Sequence, residues 1–329
     1  MPEWLPVNQD AVPGGQVLQK YPKRLRLQNS ERKDGFMNRS YVDLHVHSTC
    51  SDGYLTPEEV IAAAARCGLA AIALADHDNI DGVARAMQAG TACGVEVLTA
   101  VELSTQWFEF SDMHLLGYGF DLEDPYLARA LAEFQSFRLN RNLQIVERVN
   151  EKLRVENRQP LDPERVRLLA GGSIGRPHIA QALREAGVVD GNEQAFERYL
   201  VPCNVPKRYF PADEAINLIH GCGGIVVLAH PPYVTRERRG LERLVADLVQ
   251  QGLDGIEAYN NGSGLEETDH LIKLARQHGL VVTGGSDFHG DPGSQVRIGR
   301  GVRGIRVPYS CVTEVRACLD SRSKLVENR

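Results

Sequence analysis

Two histidines two residues apart, in Tyr41-Val-Asp-Leu-His-Val-His47, are the first residues in the chain placed to do chemistry. If this apolar run is a strand, its period of two puts Asp43, His45 and His47 on one face and Val42, Leu44 and Val46 on the other. Imidazoles so placed can converge on a metal ion, although two surface histidines at a strand end would give the same pattern. The neighbouring motifs decide between these readings. Asp52 follows in a Ser-Asp-Gly turn able to aim its carboxylate back across the strand end. Further apolar runs end in Asp76-His77-Asp78, Val101-Glu102-Leu103, Ala229-His230-Pro231 and Ser286-Asp287-Phe288-His289, and another begins Met113-His114-Leu115. Unpaired charges are costly to bury, so six histidines and three carboxylates meeting in one cleft are expected to coordinate metal. Imidazole and carboxylate without thiolate suit Mn, Zn or Fe. Nine candidate ligands are too many for one ion, which implies two or three divalent ions bridged by a carboxylate.

Such a cluster needs a scaffold that brings strand ends to one face. YVDLHVH reads as a strand, followed by a helix opened at Thr56-Pro57 and stopped at Gly68. LAAIALA, VEVLTAVEL and MHLLGYGF read as further strands, with a helix over DGVARAMQAGTACG between the first two. Strand and helix alternate without hairpin signals, which predicts a parallel α/β sheet or barrel with all its C-terminal strand ends on one face. Residues 123–210 break the rhythm: Leu127, Leu131, Phe134, Ile145 and Val149 recur at helical spacing, and helical stretches follow near 176–186 and 193–200. We read this as a helical insertion between a first part of the barrel, 41–122, and a second part, 211–291. GIVVLA, DGIEAY and LVVTGG complete seven strand candidates. Residues 292–329 form a C-terminal segment with a possible strand GIRVP and a helix from about Thr313, and residues 1–40 an extension that carries a basic cluster in YPKRLRLQ.

Composition narrows the partners. With 37 basic and 43 acidic residues the net charge is −6, so no overall basic field draws the chain to nucleic acid or anionic lipid. The sequence has no run of 18 or more apolar residues, and its N-terminus lacks the apolar core of a signal peptide. A cytoplasmic protein with no membrane span is expected. The seven cysteines form no C-x-x-C pair and read as reduced thiols.

Taken in order, DLHVHSTCSDG, ALADHD, GVELS, HLLGY, LAHP and GSDFHG resemble the motifs of the PHP (polymerase and histidinol phosphatase) family. The helical segment between them resembles the insertion of the nucleotide-phosphatase and 5′-3′ exoribonuclease-like branch. The resemblance implies a distorted (β/α)7 barrel with a helical insertion over its C-terminal face, and a trinuclear metal centre that hydrolyses phosphate esters. It implies that His45, His47 and Asp287 bind one metal and share Glu102 with a second, which His114 and His230 complete. Asp52, His77 and His289 would hold the third. Asp52 or His230 could protonate the leaving alkoxide. Asp43 could orient a histidine ring or be a salt-bridged core residue.

The insertion adds candidates for substrate binding. Gly171-Gly-Ser-Ile-Gly-Arg-Pro-His178 opens a helix and carries Arg176 and His178, and helix starts and arginines are natural phosphate partners. Arg138 and Arg141 share one helical side and could face the pocket or make surface salt bridges, and Lys207 is a further candidate. His220, His270 and His278 lie in amphipathic helices and receive no role. The expected substrate is a nucleoside 3′,5′-bisphosphate or the 5′ end of a short RNA. The alternatives are a small-metabolite phosphatase of the histidinol-phosphate type and a metal-binding regulatory module without turnover. No stable protein partner is indicated.

Overall fold

The computed structural model describes residues 41–170, 174–291, 293–302, 304 and 306–327. The N-terminal extension with its basic cluster, and residues 171–173 of the glycine-rich segment, lie outside the described residues. The first half of the fold runs β1 (Tyr41–Val46), α1 (Pro57–Arg66), β2 (Ala71–Leu74), α2 (Val83–Cys93), β3 (Glu96–Trp107) and β4 (Phe110–Tyr118). Helix α1 starts where the sequence places it. Thr56 Oγ1 accepts the Glu59 N–H and the Glu59 carboxylate accepts the Thr56 N–H, a reciprocal cap. The helix stops at Gly68, whose φ of 72° is unstrained without a side chain.

The insertion contains α3 (Pro125–Val155), α4 (Pro163–Ala170), α5 (Arg176–Glu185), α6 (Asn192–Ala195) and a π-helical turn over Phe196–Leu200. Beyond it come β5 (Phe210–Pro211), α7 (Ala212–Gly221), β6 (Ile225–Leu228), α8 (Pro231–Val234), α9 (Arg238–Gln251), β7 (Gly255–Tyr259), α10 (Leu265–Gln277), β8 (Val281–Gly284), β9 (Val307–Pro308) and α11 (Ser310–Glu327). The 31 residues of α3 belong to two cores. Leu127, Leu131 and Phe134 pack into the barrel's apolar core, whereas Ile145, Val149 and Leu153 join Val166, Ile179, Leu183 and Leu200 in a separate core. One rigid helix therefore carries the insertion on the barrel.

The strands are ordered β8-β7-β6-β4-β3-β2-β1-β9, with β5 paired to β3. The sheet curls until β1 meets the chain just beyond β8: Val46 bridges Phe288, the His47 N–H donates to the Phe288 carbonyl at 2.9 Å, and the Asp287 N–H donates to the His45 carbonyl at 2.9 Å. These contacts nearly close the α/β barrel.

The sheet is not wholly parallel, which corrects the sequence reading. Strands β3 and β4 form an antiparallel hairpin, and β4 is also antiparallel to β6. The connection, Phe108-Glu109, has none of the Gly or Asn residues that advertise a tight turn, and Phe108 adopts a φ of 47°. The reversal has a useful consequence. Because β4 runs antiparallel to both neighbours, His114, midway along it, pairs with Ser104 near the end of β3 and directly precedes Leu115, which pairs with Leu228 at the end of β6.

The seam leaves no room at Gly285. A Cβ there would come within 2.2 Å of the His45 Cβ and 2.5 Å of its backbone nitrogen. Gly285→Ala should therefore destabilise the fold by about 3 kcal/mol, since backbone cannot yield as a flexible side chain does. Denaturant unfolding will measure this. A variant as stable as the parent protein would mean that the seam tolerates separation and does not fix β1.

Candidate metal centre

Glu102 lies at the middle of the strand-end cluster and is wholly buried. Its Oε1 is 2.8 Å from His114 Nδ1 and 3.0 Å from His230 Nε2. Its Oε2 is 3.3 Å from both His45 Nε2 and His47 Nε2, and 3.0 Å from His77 Nδ1. Asp287 Oδ1 approaches His47 Nε2 at 3.1 Å and His45 Nε2 at 3.6 Å. Asp52, from the turn after β1, approaches His289 Nε2 at 3.3 Å and His77 Nε2 at 3.7 Å. The fold thus gathers all nine residues that the sequence singles out.

Their ligand atoms form three overlapping groups: His45, His47, Glu102 and Asp287; His77, Glu102 and His114; and His47, Asp52, His77 and His289. His77 joins the middle group, alongside its place with Asp52. His230 reaches the same Glu102 oxygen as His114 and lies 3.3 Å from His114 Nδ1. Many of these buried atoms have no hydrogen-bond partner: His45 Nε2, both nitrogens of His47, His77 Nδ1, His114 Nε2 and Glu102 Oε2 among them. Buried polar atoms left unpaired are costly, and a divalent cation is a partner that several of them could share. The donor set fits borderline divalent metals.

The charges are strongly coupled. Burial alone would raise the Glu102 carboxyl, but the imidazoles of His77, His114 and His45 outweigh it and hold the group well below the usual carboxylate range. Burial likewise opposes a charge on His114 and His289. The carboxylates of Glu102 and Asp112 nevertheless push His114 up to about 9, and those of Asp52 and Asp287 push His289 up to about 10. His47 moves the other way, to about 3, because burial and the nearby His289 both disfavour its cation.

Around the nine lies a layer of fixed carboxylates. Glu257 on β7 accepts from His45 Nδ1 at 3.0 Å and from the His230 N–H at 2.7 Å. The sequence reading gives it no role; its one signal is an acid at an inward position of the DGIEAY strand. Asp76 accepts from Ser48 N–H, Ser48 Oγ and Ser51 Oγ, holding the turn that carries Asp52. Asp78 accepts from Ser104 N–H and Oγ. Among the described residues, Asp43 neither orients a ring nor forms a salt bridge. It accepts from Ser286 N–H at 2.8 Å, Ser286 Oγ at 2.6 Å and Gly299 N–H at 2.7 Å, tying β1 to the segment that carries Asp287 and His289.

A cleft of about 240 Å³ opens from the metal-ligand cluster toward the insertion. The barrel contributes Asp52, His77 and His114 to its lining, and the insertion contributes Arg138, Arg176, Lys207 and Phe196. Arg138 pairs with Asp52 at 3.6 Å and Asp78 at 3.9 Å, and the Arg176 guanidinium lies 5.6 Å from the Phe196 ring centre. Lys207 pairs with Asp112. Arg141 also lines the cleft and is held by the Val205 carbonyl and Asn204 Oδ1, both at 2.8 Å. Burial and the neighbouring Arg176 and Arg138 charges bring its guanidinium down to about 10, a sign of concentrated positive potential. His178 lies behind the lining residues. It is buried, and its Nδ1 accepts the Gly175 N–H at 2.9 Å, which fixes the start of α5 from which Arg176 extends. His220 bonds Asp254 at 2.7 Å, away from this site.

Comparison with known proteins agrees with this geometry. The PHP domain pattern matches residues 43–200. A 5′-3′ exoribonuclease of Haemophilus influenzae is 34% identical over 77% of this chain and 91% of its own length. A 3′,5′-nucleoside bisphosphate phosphatase of Chromobacterium violaceum is 34% identical over 75% of this chain and 87% of its own. A crystal structure from Bifidobacterium adolescentis, assigned to the metal-dependent phosphoesterases, superposes with a TM-score of 0.72 at 29% identity, over 84% of this chain and 96% of that one. A chain this similar to such proteins along most of its length, with a strand-end His/Asp/Glu cluster in the matching barrel, belongs to the PHP family.

Proposed function

We propose that this protein is a cytoplasmic metal-dependent phosphoesterase that hydrolyses a nucleotide phosphate, either a nucleoside 3′,5′-bisphosphate or the 5′ end of a short RNA. The observation that carries this reading is one cleft with two unlike walls. The barrel wall holds buried, unpaired histidine and carboxylate atoms. The insertion wall holds Arg138, Arg141, Arg176 and Lys207 beside the aromatic Phe196. The relatives named for RNA and nucleoside bisphosphate support the choice of substrate. Residues 123–210 act as a cap between the two barrel parts, 41–122 and 211–291, with 292–329 as the C-terminal segment.

The nine cluster residues would hold two or three ions of Mn, Zn or Fe, with Glu102 as the bridge. Bound divalent cations supply Lewis acidity there, activating water near neutral pH and neutralising phosphoryl oxygens. The chain's own residues provide the rest. Arg176 and Arg138 place donors and positive charge where the phosphate enters, and Arg is the side chain suited to bidentate phosphate contacts. The Arg176 guanidinium against Phe196 offers a surface able to stack on a base. His178 acts on the substrate through the start of α5. Burial would raise the Asp52 carboxyl, but His77, His289 and Arg138 hold it well below the usual carboxylate range, so of Asp52 and His230 it is His230 that remains as a candidate proton donor to the leaving oxygen.

Purified protein should hydrolyse a generic aryl phosphate with Mn²⁺ and lose that activity on chelation; a fully metal-loaded protein without turnover would favour a regulatory module instead. Glu102→Gln should keep the barrel folded, as judged by circular dichroism, and lose about 100-fold or more of its turnover. Near-normal turnover in the folded variant would remove Glu102 from the bridge. Arg176→Ala should keep its metal content and lose about 10- to 150-fold on nucleotide substrates, the equivalent of a charge-assisted contact worth roughly 1.5–3 kcal/mol. An aryl phosphate should suffer less. Equal losses would place Arg176 on the reacting phosphoryl group, and no loss would leave it outside recognition.

The raised histidines give a further prediction. A pH of 7 lies below the raised values of about 9 for His114 and about 10 for His289, so both rings should carry protons in chelator-stripped protein. A ring nitrogen must shed its proton to ligate, so metal loading at pH 7 should release about one or more protons per chain, and affinity should rise with pH through neutrality. Titration with Mn²⁺ in dilute indicator dye measures the release. Loading without release would contradict the ligand roles of these two residues.

A further inference from the structure

We infer that Glu257 is a positioning residue that sets the proton on the His45 ring and the backbone of His230, and so couples two groups of ligands with one side chain. The inference rests on the metal-centre reading above. Glu257 is wholly buried on β7, between β6 and β8, and is not among the residues that line the cleft. One oxygen lies 3.0 Å from His45 Nδ1 and the other accepts the His230 N–H at 2.7 Å.

Each contact settles a different problem. A neutral imidazole has one N–H, and a carboxylate is an acceptor only. With the proton on Nδ1 donated to Glu257, the lone pair of His45 Nε2 is left facing Glu102 and Asp287, at 3.3 and 3.6 Å. If Nε2 carried the proton instead, the ring could not ligate from that side, and Nδ1 would set a lone pair against a carboxylate. His230 poses a backbone problem. Its φ of 27° and ψ of 61° lie in a region that non-glycine residues occupy only when the surroundings enforce it. The charge-assisted bond to Glu257 enforces it, and this conformation brings His230 Nε2 to 3.0 Å from Glu102. Loss of Glu257 should therefore affect ligands on both oxygens of Glu102 together.

The test compares chelator-stripped parent protein and Glu257→Gln. Glutamine keeps the size and one acceptor. If its oxygen holds the His230 N–H, its amide nitrogen faces His45 Nδ1 as a donor and drives the ring proton to Nε2. We expect Glu257→Gln to melt within about 5 °C of the parent, yet to bind Mn²⁺ about 10- to 100-fold more weakly in competition with a chelator, the usual cost of losing a partner behind a metal-binding histidine. Unchanged Mn²⁺ affinity and stoichiometry in the variant would overturn the inference, as would a lowered melting temperature with unchanged affinity. If the variant does not fold, ¹⁵N imidazole spectra of Zn²⁺-loaded parent protein decide instead. They should show the His45 proton on Nδ1 with Nε2 ligating, and the opposite arrangement would overturn the inference. Parent protein that binds no Mn²⁺ would overturn the metal-centre reading and this inference with it.

Discussion

A buried carboxylate facing five imidazoles organises this molecule. Glu102 is removed from water, where an uncompensated charge would cost several kcal/mol, and its compensation comes from side chains on four separate segments. His45 and His47 come from β1 and its end, His77 from the end of β2, His114 from β4 and His230 from the end of β6. No local structure can assemble such a set. It requires a barrel whose strand ends face one another, and it requires β4 to run against its neighbours so that His114, midway along it, meets the residues at their ends.

The cost of that convergence is visible in the backbone. Asp78, His230 and Asp287 are non-glycine residues with positive φ, and all three follow strands at this face of the barrel. Buried carboxylates restrain the same places: Asp43 holds Ser286 beside Asp287, Asp78 is held by Ser104, and Glu257 holds His230. Residues in uncommon conformations persist where their surroundings over-determine them, which fits a site whose geometry must be set before a ligand arrives. The insertion adds its own rigidity. Helix α3 roots in the barrel core and continues into the insertion core, so the position of Arg138 relative to Asp52 does not depend on a flexible linker.

The sequence is most informative where chemistry and element coincide. Histidines and acids at the ends of apolar runs mark a strand end and a ligand together, so the cluster is legible from the order of the residues alone. The β3–β4 hairpin is not, because Trp107-Phe108-Glu109-Phe110 has no residue that favours a left-handed turn and the strain at Phe108 is imposed by the sheet. Glu257 is hidden because an acid alternating with apolar residues ordinarily marks a solvated strand face, and only barrel closure turns that face inward. Helical spacing puts Arg138 and Arg141 on one side of α3, but which side meets the barrel is a property of packing between distant segments. The role of Asp43 is obscured for a related reason. Its partners, Ser286 and Gly299, are more than 240 residues away and neither carries a charge.

The proposed role of Glu102 as a bridge between metal ions is open to direct inspection. Crystals of the protein loaded with Mn²⁺, with diffraction data collected at the manganese absorption edge, test it directly. Two or three anomalous peaks are expected within the strand-end cluster, two of them flanking the Glu102 carboxylate, with His45, His47 and Asp287 on one side and His114 and His230 on the other. A map with no peak in the cluster, or with a single ion out of reach of Glu102, would contradict that role.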